Sequence, residues 1–273
     1  MLVPLNTRYK GREAAYILGR SRARLLVTVA GFLGNDYVGL LRDAVDVATE
    51  LPDLATVVVL RTDTPPAGTE AWADFLARGD AVDPGEVERR ALAVAPDDLS
   101  DLLFTSGTTG NPKGVMQTHA STLRAFHAWS TVVGLRAGDR YLVVNPFFHA
   151  FGYKAGWLVC LMMGATVIPQ AVFDGDEVMA RIGRDRVSVL PGPPTLLQGI
   201  LNHPDRAAYD LSSLRLTVTG AAARRGHSDG FVPIAIAELG VPGVRRPVDP
   251  VRVPSTCRSG VLFVDGRPVP IVV

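Results

Sequence analysis

The chain has 273 residues, 47% of them hydrophobic, and a formal net charge of +1. That is enough apolar material to fill a core, and too little charge to give the field that nucleic acid or a strongly charged partner requires, so a small-molecule substrate and no nucleic-acid partner are expected. Two cysteines, Cys160 and Cys257, are too few and too far apart for a disulfide framework or a zinc site.

The N-terminus shows no long apolar core behind a basic start, so no secretory signal is read there and a cytoplasmic setting is expected. An Asn6 or Thr7 cap is predicted to open a helix in which Ala14, Ile17 and Leu18 fall at helical spacing, feeding an apolar strand over 25–29. The succession returns with a helical stretch in 36–54 and a β-branched run over 57–60, of the kind that is buried on both faces. Residues 62–83 turn to Pro, Gly, Asp and Thr, predicting a surface connection with one short helix at 72–79.

A strand over 102–104, a glycine and threonine loop and a helix from 118 to 133 follow, then a strand over 141–144. The segment 145–156, NPFFHAFGYKAG, is predicted to be a loop entering the apolar stretch 155–172. Gly164, Pro169 and Gln170 interrupt that stretch, which barely approaches the roughly 18 residues a span needs, so a buried helix followed by a buried strand is expected and no membrane span. Residues 184–204 read as strand, proline-rich turn and helix, and 212–222 as a strand ending at a small-residue turn. This alternation predicts an α/β sheet. No internal repeat is present. His119 and His127 have no carboxylate at ligand spacing, so no metal site is read on their helix. Lys10 and Lys154 are expected to be solvated.

The chemistry concentrates in residues 104–114, FTSGTTGNPKG. Gly107, Gly110 and Gly114 permit close backbone approach and positive φ, Thr105, Ser106, Thr108 and Thr109 supply hydroxyl donors, and Lys113 adds a mobile positive charge. Such a set can hold a polyphosphate and stabilise a departing pyrophosphate. It is not the G-x-x-x-x-G-K-[ST] loop, because Pro112 stands where that pattern has its second glycine and Gly114 follows Lys113, which disfavours a kinase or GTPase. Composition alone fits a flexible surface loop equally well.

As an ordered string, residues 105–114 resemble the phosphate loop of the AMP-binding, adenylate-forming superfamily of acyl-CoA synthetases, luciferases and peptide-synthetase adenylation domains. Residues 3–18, NPFFHAFG at 145–152, PGPPTLLQGILNHP at 191–204 and VTGAA at 218–222 are similar to further family segments in the same order. The resemblance covers 1–222 and looks most like the fatty-acid or steroid-derived acid CoA ligases. It implies an α/β fold: the partial large N-terminal domain of an adenylate-forming enzyme, mixed to mostly parallel sheets flanked by helices, with the small C-terminal domain absent.

The same resemblance implies ATP, Mg2+ and coenzyme A, and a carboxylic acid activated as acyl-adenylate and passed to a thiol. It implies that Thr105, Ser106, Gly107, Thr108, Thr109, Gly110 and Lys113 hold phosphates and that Gly220, Ala221 and Ala222 begin the adenine-contacting turn. His149 would orient the carboxylate, acting with Lys113 in catalysis. Phe147, Phe148, Phe151 and Thr195 would line the substrate pocket. Each has a plainer alternative: a satisfied core histidine, core aromatics, and a helix-capping threonine.

After Ala222 the family's Tyr-Gly-x-Thr-Glu motif, ribose-binding aspartate and C-terminal lysine do not follow. Residues 223–273 contain no lysine and one glutamate, Glu238, with repeated Arg, Pro and Val. The expected organisation is a partial adenylation domain over 1–222 and a divergent or frameshifted tail over 223–273. The competing readings are a non-catalytic nucleotide-binding remnant and an adenylation domain that delivers to a carrier protein.

Overall fold

The computed structural model describes residues 1–105 and 111–219, with the strands at 235–236, 260–264 and 267–271. The chain forms two compact units, Met1–Ala120 and Ser121–Val273.

In the first unit, helix α1 (Gly11–Ser21) leads to strand β1 (Leu25–Val29), α2 (Tyr37–Ala44), α3 (Val47–Glu50), β2 (Thr56–Leu60), β3 (Glu70–Ala71), α4 (Trp72–Ala77) and α5 (Pro84–Leu92). Strands β1, β2 and β3 form a parallel sheet, with Leu25 opposite Thr56. The start of α1 differs from the sequence expectation. Asn6 instead shapes a preceding turn, its Oδ1 accepting from the Arg8 N–H at 2.9 Å, while Lys10 is the cap residue and its N–H donates to Glu13 Oε2 at 2.8 Å. A Cβ at Gly11 would run into the Leu40 carbonyl oxygen, so that glycine sets the closeness of α1 to α2.

Strand β4 (Leu99–Thr105) then pairs antiparallel with β5 (Lys113–Thr118). The sequence reading passed directly from glycine loop to helix. The intervening β5 escaped because KGVMQT lacks a continuous apolar run and is a strand by virtue of its partner. Helix α6 (His119–Val133) follows, its first turn satisfied by backbone carbonyls: His119 N–H donates to Asp98 O at 3.1 Å and Ala120 N–H to Pro96 O at 2.8 Å.

The second unit carries β6 (Arg140–Val143), α7 (Ala150–Gly152), α8 (Val159–Met163), β7 (Thr166–Pro169), α9 (Gly175–Arg184), β8 (Val189–Pro191), α10 (Pro194–Leu201), β9 (Leu216–Thr219), β10 (Ala235–Ile236), and a hairpin of β11 (Gly260–Val264) and β12 (Arg267–Ile271). Its sheet runs in the order β10, β9, β8, β6, β7, parallel except where β10 meets β9. Both faces are covered. Leu142, Ile168 and Leu190 pack with residues of α9 and α10, while Tyr141, Val143, Val189 and Val218 pack with Val133 of α6 and with α8. Burial on both faces explains why these strands read as continuous apolar runs.

Helix α9 was not foreseen, although Asp174 capping Glu177 N–H at 2.9 Å, acidic residues in its first turn and arginines in its last announce it. The stretch 155–172 contains a helix, α8, and a strand, β7, but the expected burial is only partial: Val159, Cys160 and Ile168 are buried, whereas Leu161 is exposed and β7, at the edge of its sheet, exposes Thr166 and Pro169. No helix among the described residues is long and apolar enough to cross a membrane.

Cys160 is fully buried in α8, and burial pushes its thiol up to about 12. In a Cys257→Ser background the native protein is expected to leave Cys160 unmodified by a thiol reagent at mildly alkaline pH, with labelling on unfolding. Rapid labelling of the folded protein would contradict this packing.

Candidate functional site

The glycine and threonine loop is closed at its base by the β4–β5 hairpin. Thr105 pairs with Lys113 and Phe104 with Gly114, and Thr105 Oγ1 lies 3.5 Å from the Lys113 carbonyl. Thr105 and Lys113 are both exposed. Ser106, Gly107, Thr108, Thr109 and Gly110 lie outside the described residues. Gly114 does not take the positive φ expected of it. It is part of β5, and a Cβ there would come within a tight 3.1 Å of the Phe104 ring. The glycine thus admits an aromatic ring across the hairpin rather than turning the loop.

In the second unit the strand order locates a switch point. From β6 the chain moves to β7 on one side and returns through α9 to β8 on the other, so the carboxyl ends of β6 and β8 form a topological switch point, where open α/β sheets bind ligands. The segment 144–149 leaves the end of β6, and Gly192, Pro193, Pro194 and Thr195 leave the end of β8. Asn145 Nδ2 donates to Pro191 O at 3.3 Å, tying the two turns together. The Gly192 N–H donates to Val218 O at 2.9 Å, joining the second turn to β9. Gly220, Ala221 and Ala222, which follow β9, lie outside the described residues, as does the tail from 223 apart from its strands.

The aromatic-histidine segment is a tight turn. His149 N–H donates to Pro146 O at 3.0 Å, and the His149 carbonyl accepts from Gly152 N–H at 2.9 Å and Tyr153 N–H at 2.8 Å. His149 is the cap residue of α7, and its Nδ1 accepts from Phe151 N–H at 3.1 Å. That bond requires an unprotonated Nδ1, so the neutral ring carries its proton on Nε2 and presents a donor outward. His149 is exposed, which removes the core-histidine alternative.

The aromatics divide. Phe147 is 45% exposed, Phe148 half-buried, and Phe151 meets Trp129 of α6 edge-on with centroids 6.5 Å apart, so Phe151 anchors the turn while Phe147 faces outward. Thr195 is exposed, and the cap residue of α10 is Pro193 with no side-chain cap bond, so the threonine does not cap that helix.

Beyond the turn, residues Tyr153–Leu158 form a π-helical stretch broken at Gly156. The Tyr141 hydroxyl on β6 donates to the Ala155 carbonyl there, and burial pushes that hydroxyl well above its ordinary range. Lys154, expected to be solvated, is fully buried, its Nζ donating to Thr122 Oγ1 of α6 at 2.9 Å. A charged residue gives no local signal of burial, whereas Lys10 is exposed as expected. Sequence reasoning also passed over Asn145 and Gly152, which border the aromatic motif and shape its turn.

Among the described residues, no three of His, Cys, Asp and Glu come together to hold a metal ion. They offer no cage for the magnesium implied by resemblance.

A family model described as AMP-binding enzyme matches residues 1–229. The chain is 48% identical over 237 residues to a 3-[(3aS,4S,7aS)-7a-methyl-1,5-dioxo-octahydro-1H-inden-4-yl]propanoyl:CoA ligase of Rhodococcus jostii, covering 87% of this chain and 44% of that protein. It is 47% identical over 239 residues to a Mycobacterium tuberculosis ligase of the same name, covering 87% of this chain and 43% of the relative. The chain therefore spans less than half the length of these curated relatives. Among solved structures, the anthranilate CoA ligase AuaEII in complex with anthranoyl-AMP superposes with a TM-score of 0.66 at 28% identity, over 81% of this chain and 40% of that one.

Proposed function

This chain belongs to the AMP-binding enzyme family, and from that premise we propose that it carries the carboxylate-activating part of an acyl-CoA ligase for fatty or fused-ring, steroid-derived acids. The observation that carries the reading is the switch point, where Asn145, in the turn that leads to His149, donates to Pro191 at the end of β8, ahead of Thr195 in α10. The substrate class is supported by the names of the ligases it resembles.

In the proposed reaction a carboxylate oxygen bonds to the α-phosphorus of ATP while the bond from that phosphorus to the bridging oxygen breaks, releasing pyrophosphate. The thiol of coenzyme A then attacks the acyl carbon of the acyl-adenylate and AMP leaves. Two anions must approach in the first step and negative charge builds on the leaving group, so donors fixed in advance stabilise it most. Thr105, Ser106, Thr108, Thr109 and Lys113 take that role, with the backbone of Gly107 and Gly110. The outward Nε2–H of His149 is suited to hold the acid's carboxylate, with Phe147 and Phe148 beside the acyl group. Gly220, Ala221 and Ala222 are assigned to the adenine side.

We assign residues 1–222 to the partial adenylation domain and 223–273 to a divergent tail. A frameshifted origin for that tail is tested by sequencing the gene and searching its other frames for the missing family motifs.

Carboxylate-dependent exchange of labelled pyrophosphate into ATP, across short, medium, long-chain and fused-ring acids, tests the activity. Exchange with one acid class supports the reading and names the substrate. ATP binding without exchange would establish a non-catalytic nucleotide-binding remnant, and preference for amino acids would point to delivery to a carrier protein. Lys113→Ala is expected to lower the exchange rate by about 10–100-fold, the scale of one charge-assisted hydrogen bond. Its melting temperature should hold, since Lys113 is exposed at a strand end. An undiminished rate would remove Lys113 from the phosphate site.

A further inference from the structure

We propose that Lys154 is a positioning residue for His149, an inference that rests on the functional reading above. Lysine is almost never fully buried, because its amine loses water that the interior must replace. Here it is 0% exposed and sits three residues beyond Phe151, whose N–H fixes the His149 ring. Its Nζ donates to Thr122 Oγ1, itself buried on α6, at 2.9 Å, and lies 5.6 Å from the Tyr153 ring centroid. Tyr153 in turn stacks on Trp157 at 4.8 Å.

The turn is thus held at successive points. Phe151 leans on Trp129, the Lys154 amine is bonded to Thr122, and the Ala155 carbonyl accepts from Tyr141. Aromatic contacts tolerate sliding because dispersion is weakly directional. A hydrogen bond to one hydroxyl does not, so Lys154 sets the register of the 149–155 segment along α6. Any shift there passes to His149 through the Tyr153 N–H, which is bonded to the His149 carbonyl at 2.8 Å.

A structural role alone would show mainly as lost stability, so the test reads the ring and its turn directly. Lys154→Met keeps the stem and removes the amine; Thr122→Val keeps the volume and removes the hydroxyl. In the folded full chain, amide hydrogen exchange at Phe151 is expected to quicken by about tenfold or more in either variant, the scale of one buried hydrogen bond. Amides of α9 should stay unchanged, and the imidazole nitrogen resonances of His149 should move from the Nε2–H signature toward tautomer averaging.

Where wild type shows carboxylate-dependent exchange, the KM for the acid should rise about tenfold while that for ATP stays within about twofold, as expected when orientation of one substrate is lost. Unchanged Phe151 protection in a folded Lys154→Met protein overturns the proposal. If that variant does not fold, Thr122→Val decides by the same readout. Wild type that exchanges no pyrophosphate would sink the functional reading, and the amide and imidazole measurements would still decide the role of Lys154.

Discussion

Asp139→Asn is expected to lower the unfolding free energy of the second unit by about 3 kcal/mol, since removing one partner of a buried ion pair leaves the other uncompensated. The carboxylate is 3% exposed and its partner Arg215 27%, which places the effect at the lower end for such pairs. Arg215 Nε donates to Oδ1 at 2.8 Å, its Nη2 to Oδ2, the Ser188 hydroxyl to Oδ1 at 2.8 Å and the Arg136 N–H to Oδ2 at 2.9 Å. The Asp139 carbonyl accepts from Thr166 N–H at 2.7 Å, and Arg215 Nη2 reaches Gly134 O at 2.9 Å. The carboxylate therefore ties the amino ends of β8 and β9 to that of β6, while the Asp139 main-chain carbonyl holds the start of β7, all at the edge opposite the switch point.

Burial pushes the Asp139 carboxyl up, but the hydrogen bonds from Arg215, Arg136 and Ser188 outweigh it and hold it below the usual carboxylate range. Because the folded value is lowered, the stability it contributes is complete above the unfolded pKa of about 3.9 and is lost as pH falls through the folded value. Denaturant unfolding from pH 7 downward should therefore show the wild-type advantage over Asp139→Asn shrinking below about pH 4. A variant as stable as wild type at pH 7 would show that the network contributes nothing.

Gly152→Ala is expected to cost about 3 kcal/mol and to abolish carboxylate-dependent exchange, because the added methyl must push the turn open. Gly152 has ordinary right-handed helical backbone angles, φ −87 and ψ −31. The position therefore demands glycine for space, not for conformation. A Cβ there would collide with the carbonyl oxygens of Asn145 and Pro146, the second of which accepts from His149 N–H at 3.0 Å. Opening the turn displaces the ring that the functional reading assigns to the acid.

Gly199→Ala on α10 is the matched control, since nothing lies within 4 Å of its added methyl. It should stabilise by about 0.5–1 kcal/mol through helix propensity. Equal behaviour of the two variants in thermal unfolding and pyrophosphate exchange would contradict the packing of the turn.

The apolar strands were legible in the sequence because their signals are local, and the family because its loop motif is. Runs such as 57–60 and 141–143 are apolar on both faces, and residues 105–114 combine small, hydroxylated and cationic groups in a fixed order that resembles one family. Where the signal is not local, the reading went astray. Strand β5 exists because β4 pairs with it, and the cap of α1 shifted from Asn6 to Lys10 because Asn6 was satisfied in an earlier turn.

By itself, then, the sequence determined the α/β class and the family, and it suggested the residues to which the proposed chemistry is assigned. Tertiary structure alone decided that the chain leaves β6 for β7 and returns to β8, so that Asn145 and Pro191, 46 residues apart, meet at the switch point. It alone decided that Lys154 is buried and that Gly152 has no room for a methyl group. Strand order and side-chain environment arise from contacts between distant segments, and no local pattern of residue types specifies which segment will be the neighbour.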